Sequence, residues 1–136
     1  MESERVGLAK QFLLTAKKDL EAAEVLFKEK NFNNSIYHSQ QAVEKAIKAI
    51  LVLSGKFVES HFVADMVKDV LDKESYEYAK SLEKSWIISR YPFKRKTEIW
   101  SPVNGFTEGD SRDALDKAKF VFNKISKLLE KRGVKV

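Results

Sequence analysis

Hydrophobic residues recur with a helical period over most of the chain. In residues 6–27 they alternate at steps of three and four, which is typical of one face of a long helix. Residues 30–34 interrupt the pattern with types that prefer turns, and a second helix follows over residues 36–53. This helix carries two adjacent apolar stripes, so we expect it to be buried on two sides. Gly55 is suited to end it in the left-handed conformation.

The second half of the chain predicts three further helices. A short helix covers residues 60–71, a longer one residues 74–89, and the last residues 110–132. Between the last two, residues 91–109 form an irregular stretch that holds both prolines, and a stretch of this length in a compact bundle is often functional. We predict one all-α domain over residues 1–136, a five-helix antiparallel up-and-down bundle.

Composition limits the chemistry available to the protein. The 136 residues include 25 Lys and Arg, 20 Asp and Glu, two His and no Cys. The lack of Cys excludes disulfide scaffolds, zinc–thiolate sites and thiol catalysis. Enrichment in Lys and Glu without Cys is also a pattern of thermophile proteins. No apolar run approaches the roughly 20 residues of a membrane span, so we expect a cytoplasmic protein with no membrane partner.

Positive charge is concentrated in one part of the chain. Residues 80–100 hold six cations and two anions, whereas residues 54–79 hold three cations and six anions. The densest cluster, residues 90–96, holds four cations with two aromatic residues between them. Cations neutralise phosphates, and aromatic faces stack on bases. The alternative is a solvated loop whose aromatic residues only anchor it to the bundle. Our candidate RNA- or nucleotide-binding residues are Arg90, Tyr91, Lys94, Arg95 and Lys96.

The two histidines form no familiar metal or catalytic motif. Neither has a Glu three residues before it, as di-metal helical bundles require, and the chain has no glycine-rich phosphate loop. We therefore predict no metal and no cofactor. We interpret His38 as a packing or interface residue and His61 as a residue at a helix start. Trp86 and Trp100 are interpreted as core or interface anchors because of their large apolar area.

Three segments of the sequence resemble one known family. Residues 39–51 read Ser-Gln-Gln-Ala-Val-Glu-Lys-Ala-Ile-Lys-Ala-Ile-Leu, residues 16–23 read Ala-Lys-Lys-Asp-Leu-Glu-Ala-Ala, and residues 89–92 read Ser-Arg-Tyr-Pro. These segments resemble the HEPN domain (higher eukaryotes and prokaryotes nucleotide-binding), and the resemblance covers about residues 6–131. It implies a helical bundle that commonly forms a homodimer. It also implies cytoplasmic work on RNA or nucleotides, often beside a small nucleotidyltransferase in toxin–antitoxin pairs.

Many proteins of that family are metal-independent endoribonucleases with an Arg-x(4–6)-His motif, and this chain departs from the motif. After Arg90, the positions where the His would fall are occupied by Arg95, Lys96 and Thr97, and no other Arg has a His at that spacing. Loss of a general acid–base group typically costs about 10² to 10⁴ in rate. We therefore assign no catalytic residue and predict a binding protein.

The sequence is compatible with three functions. The leading hypothesis is a non-catalytic homodimer that binds RNA or a nucleotide through the candidate residues above. The second is a protein-interaction module that partners a nucleotidyltransferase, and the third is a ribonuclease with a non-standard base, for which His38 is the nominee. His38, Lys45 and Lys48 are secondary binding candidates, and the alternative for both lysines is a salt-bridged network with Glu44.

Overall fold

The computed structural model describes residues 2–136, and most of them are helical. The elements are α1 (Glu2–Lys28), α2 (Phe32–Leu53), a short 3₁₀ helix (Ala64–Val67), α3 (Lys73–Glu83), α4 (Ser85–Ile88), β1 (Phe93–Arg95), β2 (Glu98–Trp100) and α5 (Glu108–Glu130). The predicted all-α bundle is confirmed. Strands β1 and β2 add a small antiparallel hairpin to it.

Helix α2 is the centre of the bundle. Fifteen of its 22 residues are buried, and it packs against α1, α3, α4 and α5. Its fully buried alanines, Ala42, Ala46 and Ala49, leave room for neighbouring helices to approach closely. The predicted burial on two sides is therefore confirmed. Gly55 adopts a φ of 84° after the last turn, as predicted.

The predicted helix over residues 60–71 is wrong. Only Ala64–Val67 form a single 3₁₀ turn, and Phe62 and Met66 are exposed although they belong to the apolar pattern. The turn buries Val63 and Val67. The next helix begins instead at Asp72, whose carboxylate accepts the backbone N–H of Ser75 at 3.1 Å.

The predicted helix over residues 74–89 consists of two helices, because the helix is interrupted at Lys84, between α3 and α4. The irregular stretch that follows holds the hairpin, in which Phe93 pairs with Trp100. The indole N–H of Trp100 donates to the carbonyl oxygen of Ile88 at 2.8 Å, and its ring packs against Phe106. Trp100 is thus an anchor, as predicted, and it holds the base of the hairpin beside α4.

Candidate nucleic-acid interface

The hairpin presents three of the predicted binding residues to solvent. Lys94, Arg95 and Lys96, named here the hairpin cations, are all exposed. Lys94 stands opposite Ile99 and Arg95 opposite Glu98, and consecutive residues of a strand point to opposite faces. Lys96 lies in the turn with a φ of 57°. The hairpin therefore carries positive charge on both faces and at its tip.

Arg90, in contrast, is packed against aromatic rings at the end of α4. Its Cζ lies 4.9 Å from the ring centroid of Tyr37, 4.7 Å from that of Trp86 and 4.8 Å from that of Tyr91, within the range of cation–π contacts. Its Nε donates to the backbone carbonyl oxygen of Trp86 at 3.1 Å. Among residues 2–136 its terminal nitrogens have no hydrogen-bond acceptor, so they can donate to an anion.

The ring of Trp86 also contacts His61. The two rings are stacked, with centroids 4.1 Å apart and an interplanar angle of 21°. His61 therefore shares Trp86 with Arg90, although it precedes Arg90 by 29 residues. Our interpretation of His61 as a helix-start residue is wrong, because no α-helix forms there and the imidazole packs against α4. A motif defined by spacing along the sequence could not reveal this pairing, since His61 lies in a loop and Trp86 in a helix far away in the sequence.

A buried carboxylate lies on the other side of His61. Nδ1 of His61 is 3.2 Å from both carboxylate oxygens of Glu44, which is only 4% exposed. Lys48 Nζ donates to Glu44 Oε2 at 3.1 Å, and Gln40 Nε2 donates to Oε1 at 3.1 Å. We name these four residues the Glu44 network. It confirms the expected pairing of Lys48 with Glu44, and it fixes the orientation of the imidazole.

A second carboxyl group lies close to the Glu44 network. Glu83 of α3 lines a small cavity together with Glu44 and His61. Burial raises the pKa of Glu83. The hydrogen bond that its carboxyl accepts from the backbone N–H of Ala64, at 3.1 Å, lowers the pKa by less. The charge of Glu44 raises the pKa, as burial does. The carboxyl of Glu83 therefore holds its proton to a higher pH than an ordinary Glu.

The remaining secondary candidates belong to a different network. Asp19 of α1 accepts a 2.7 Å hydrogen bond from Lys45 Nζ, and its other oxygen is 2.9 Å from Nδ1 of His38. Burial alone would raise the pKa of Asp19, but the hydrogen bonds of His38 and Lys45 and the charge of Lys45 lower it overall. We name these three residues the Asp19 network. Lys45 thus pairs with α1 and not with Glu44.

Within residues 2–136, no three acidic or His side chains are grouped as they would be around a metal ion. No helix in the same range is both long enough and apolar enough to cross a membrane.

Known proteins share both the fold and the sequence pattern. A model of the HEPN domain family matches residues 9–129. A Methanocaldococcus jannaschii protein named "Putative toxin MJ1304" is 36% identical over 143 residues, which cover 96% of this chain and 94% of the relative. The helical bundle with its central Gln-Gln-x-x-Glu helix thus has the architecture of that family. This chain belongs to the HEPN domain family.

Solved structures agree with this assignment at the level of the fold. The crystal structure of TT1696 from Thermus thermophilus superposes with a TM-score of 0.78 at 23% identity. The structure of ST0689, described as an archaeal HEPN homologue, superposes with a TM-score of 0.74, also at 23% identity. In both comparisons the match covers 88% of this chain and 96% of the other.

Proposed function

We propose that this HEPN protein binds single-stranded RNA through its hairpin and acts as the toxin of a toxin–antitoxin-type pair. The hairpin cations carry the first part of the proposal. They project from the bundle, and in the described part of the chain none of them is in an ion pair with a carboxylate. The name of the M. jannaschii relative supports the second part.

Aromatic faces beside the hairpin support RNA over a simple anion. Tyr91 is 52% exposed and Phe93 is 41% exposed, and both lie within four residues of a hairpin cation. Bases of a single strand stack on such faces while its phosphates contact cations. Arg90 extends the same surface with its free terminal nitrogens.

The test is a salt series of binding to a labelled single-stranded RNA, followed by fluorescence anisotropy. Each phosphate contact on a single strand contributes about 0.7 to the slope of log K against log salt. Reversing the three hairpin cations to Glu should therefore lower the magnitude of the slope by about 2 and weaken binding at low salt. A nucleoside triphosphate measured in parallel shows whether a mononucleotide is bound instead of a strand.

The chain offers a control with the same change in charge. Lys127, Lys131 and Arg132, named here the distal cations, are also two Lys and one Arg, and all are exposed. They lie at the far end of α5, about 33 Å along the helix from its start near Trp100. Reversing the distal cations should change affinity much less. Equal losses in both triple variants would show that only net charge matters and would remove the hairpin as the site.

A second candidate function is a protein contact made by the same region. Ile99 on the hairpin is 77% exposed, and Val103 just after it is 75% exposed, and apolar residues at these positions suit an interface. We propose a nucleotidyltransferase as that partner and a homodimer as the resting state. Light scattering of the purified protein tests the dimer. Co-expression with a nucleotidyltransferase from the same operon, comparing wild type with Ile99→Glu, tests the partner.

A further inference from the structure

The segment that connects α2 to α3 exposes apolar residues next to acidic ones. Phe62, Met66 and Val70 are 59%, 44% and 47% exposed, and all lie within nine residues of the chain. Asp65 and Asp69 lie between them in the sequence and are exposed as well. We name these five residues the acidic apolar patch. Exposed apolar side chains grouped in this way, with charged neighbours, are typical of a protein-interaction surface.

The charge around the acidic apolar patch is opposite to that of the hairpin. Residues 57–72 hold four anions and one cation, in a chain with a net charge of +5. The one cation, Lys68, lies over the ring of Tyr76, with its Nζ 5.2 Å from the ring centroid. Within residues 2–136, Asp69 is in no ion pair. This part of the surface therefore repels a nucleic-acid strand and attracts a cationic partner.

Short-range backbone hydrogen bonds wind the segment so that its apolar residues divide between core and surface. The N–H of Met66 donates to the carbonyl oxygen of Val63 at 3.1 Å, and the N–H of Val70 donates to that of Val67 at 2.9 Å. Val63 and Val67 are buried, whereas Met66 and Val70 are exposed. The segment thus contributes to the core and still leaves apolar side chains available to a partner.

Contacts with α3 hold the acidic apolar patch in place. Ala64 is buried, and its backbone N–H donates to the carboxyl of Glu83 at 3.1 Å. On the outside of the segment, Lys80 Nζ donates to Asp65 Oδ2 at 3.1 Å. A surface that is already ordered loses little conformational freedom when a partner binds, so more of the contact energy contributes to affinity.

We propose that the acidic apolar patch binds a basic amphipathic helix of a partner protein. The apolar face of such a helix covers Phe62, Met66 and Val70, and Lys or Arg at the edges of that face meets Asp69. Aromatic residues and Met are enriched at the centres of protein interfaces. This contact is separate from the one proposed for Ile99, because the basic hairpin and the acidic apolar patch fit partners of opposite charge.

A second copy of this chain is the competing occupant. Its hairpin is basic, and Ile99 on that hairpin is 77% exposed. However, the hairpin cations are the residues proposed above to contact RNA, and they cannot contact RNA and a second copy at the same time. We therefore assign the acidic apolar patch to a helix of another protein, with self-association measured as the alternative.

The probe is a labelled peptide of about 18 Lys and Leu residues, or five helical turns, with the Leu residues on one face. Binding is followed by fluorescence anisotropy at low salt. Two control peptides have the same length: one carries Glu in place of every Lys, and one has the Lys and Leu residues scrambled so that no apolar face forms. Wild type should bind the basic amphipathic peptide at least about tenfold more tightly than either control. Its affinity should fall as salt is added.

Two substitutions in the acidic apolar patch have matched controls elsewhere. Asp69→Lys should weaken binding of the basic peptide about tenfold, and Val70→Ser about fivefold. Asp116→Lys on α5 and Val25→Ser on α1 make the same changes at exposed positions, and each should alter affinity by less than about twofold. Asp65 is left unchanged because its hydrogen bond to α3 holds the segment. The urea midpoint of each variant checks that it folds.

Other outcomes overturn the proposal. If wild type binds none of the three peptides, or binds all of them equally, the acidic apolar patch does not select a basic helix. Equal losses in Asp69→Lys and Asp116→Lys would show that only net charge matters. If light scattering shows that Asp69→Lys dissociates a wild-type dimer, a second copy is the occupant.

The inference does not depend on the proposed RNA binding, and the same variants show this. Asp69→Lys should bind the labelled RNA at least as tightly as wild type while it loses the basic peptide. A protein that binds the peptide and no RNA would contradict the proposed function alone. A variant that loses RNA and peptide together would contradict a separate protein-binding surface.

Discussion

Helix α2 carries two networks that each join a histidine, a carboxylate and a lysine. In the Asp19 network the carboxylate comes from α1, and the His and Lys come from α2. In the Glu44 network the carboxylate and the Lys come from α2, and the His comes from the loop that follows it. The first network therefore ties two long helices together. The second ties a loop residue to the bundle, and that residue stacks on Trp86, which Arg90 also contacts.

The two networks also differ in their access to water. Lys45 of the Asp19 network has a side chain that is 28% exposed, whereas Lys48 of the Glu44 network is 13% exposed. An ion pair with poor access to water depends more strongly on its partner, because a lone buried charge is costly. The same chemical groups thus have a larger energetic role in the Glu44 network than in the Asp19 network.

The largest expected effect is that of Glu44→Gln on stability. The change leaves Lys48 with no carboxylate partner, and we expect it to lower the free energy of unfolding by about 3–5 kcal/mol. With a typical small-protein dependence on denaturant, the urea midpoint should fall by more than about 1 M. Glu77→Gln, on the exposed surface of α3, is the control and should change the midpoint little. A loss no larger than that of Asp19→Asn would contradict the ranking of the two networks.

Asp19→Asn should have a smaller effect that depends on pH. We expect a loss of about 1–3 kcal/mol at pH 7, because hydrogen bonds to a charged group are lost while Lys45 can still reach water. Since the pKa of Asp19 is lowered in the folded state, its contribution is present above the ordinary carboxyl pKa of about 3.9. It disappears as the pH falls through the lowered folded value.

Urea unfolding of wild type and Asp19→Asn at pH 7 and at pH 3 measures this dependence. The difference between the two proteins should shrink at pH 3. Asp116→Asn, an exposed change on α5, provides the control at both pH values. A difference that stays constant with pH would show that Asp19 acts through packing alone.

Much of the fold could be predicted from the period of the apolar residues. Long helices such as α1 and α5 bury one face over many turns, and α2 buries two, so their pattern is unambiguous. The same periodicity gave a wrong prediction for residues 60–71, because a short apolar segment fits a helix and an irregular connection equally well. Which of the two forms depends on how the segment packs between α2 and α3, and that is a tertiary property.

The candidate site was predictable in part. The hairpin cations are a local cluster, and local composition was enough to select them. The sharing of Trp86 by His61 and Arg90 depends on how a loop packs on a distant helix, and no spacing along the chain encodes it. A search for His after Arg in the sequence therefore could not find two residues that contact the same indole ring.

The smallest expected effect comes from Glu83, whose behaviour should be opposite to that of Asp19. Burial raises the pKa of Glu83 in the folded state, so the folded protein binds its proton more tightly than the unfolded chain does. The resulting stability is present below the unfolded pKa, about 4.3, and is lost as the pH rises through the raised folded value. At pH 7 the buried, ionised carboxyl of Glu83 therefore destabilises the folded state, and Glu83→Gln removes this cost.

Glu83→Gln should therefore raise the free energy of unfolding at pH 7 by up to about 1 kcal/mol, since the amide oxygen can still accept the N–H of Ala64. The gain should vanish near pH 4. Thermal melts of wild type and Glu83→Gln across this range measure it, with Glu77→Gln on the same helix as the control. A loss of stability at pH 7 would show that the hydrogen bond to Ala64 outweighs the cost of burying the charge. Glu83 would then be a stabilising partner of the 3₁₀ turn, as Asp19 is of α2.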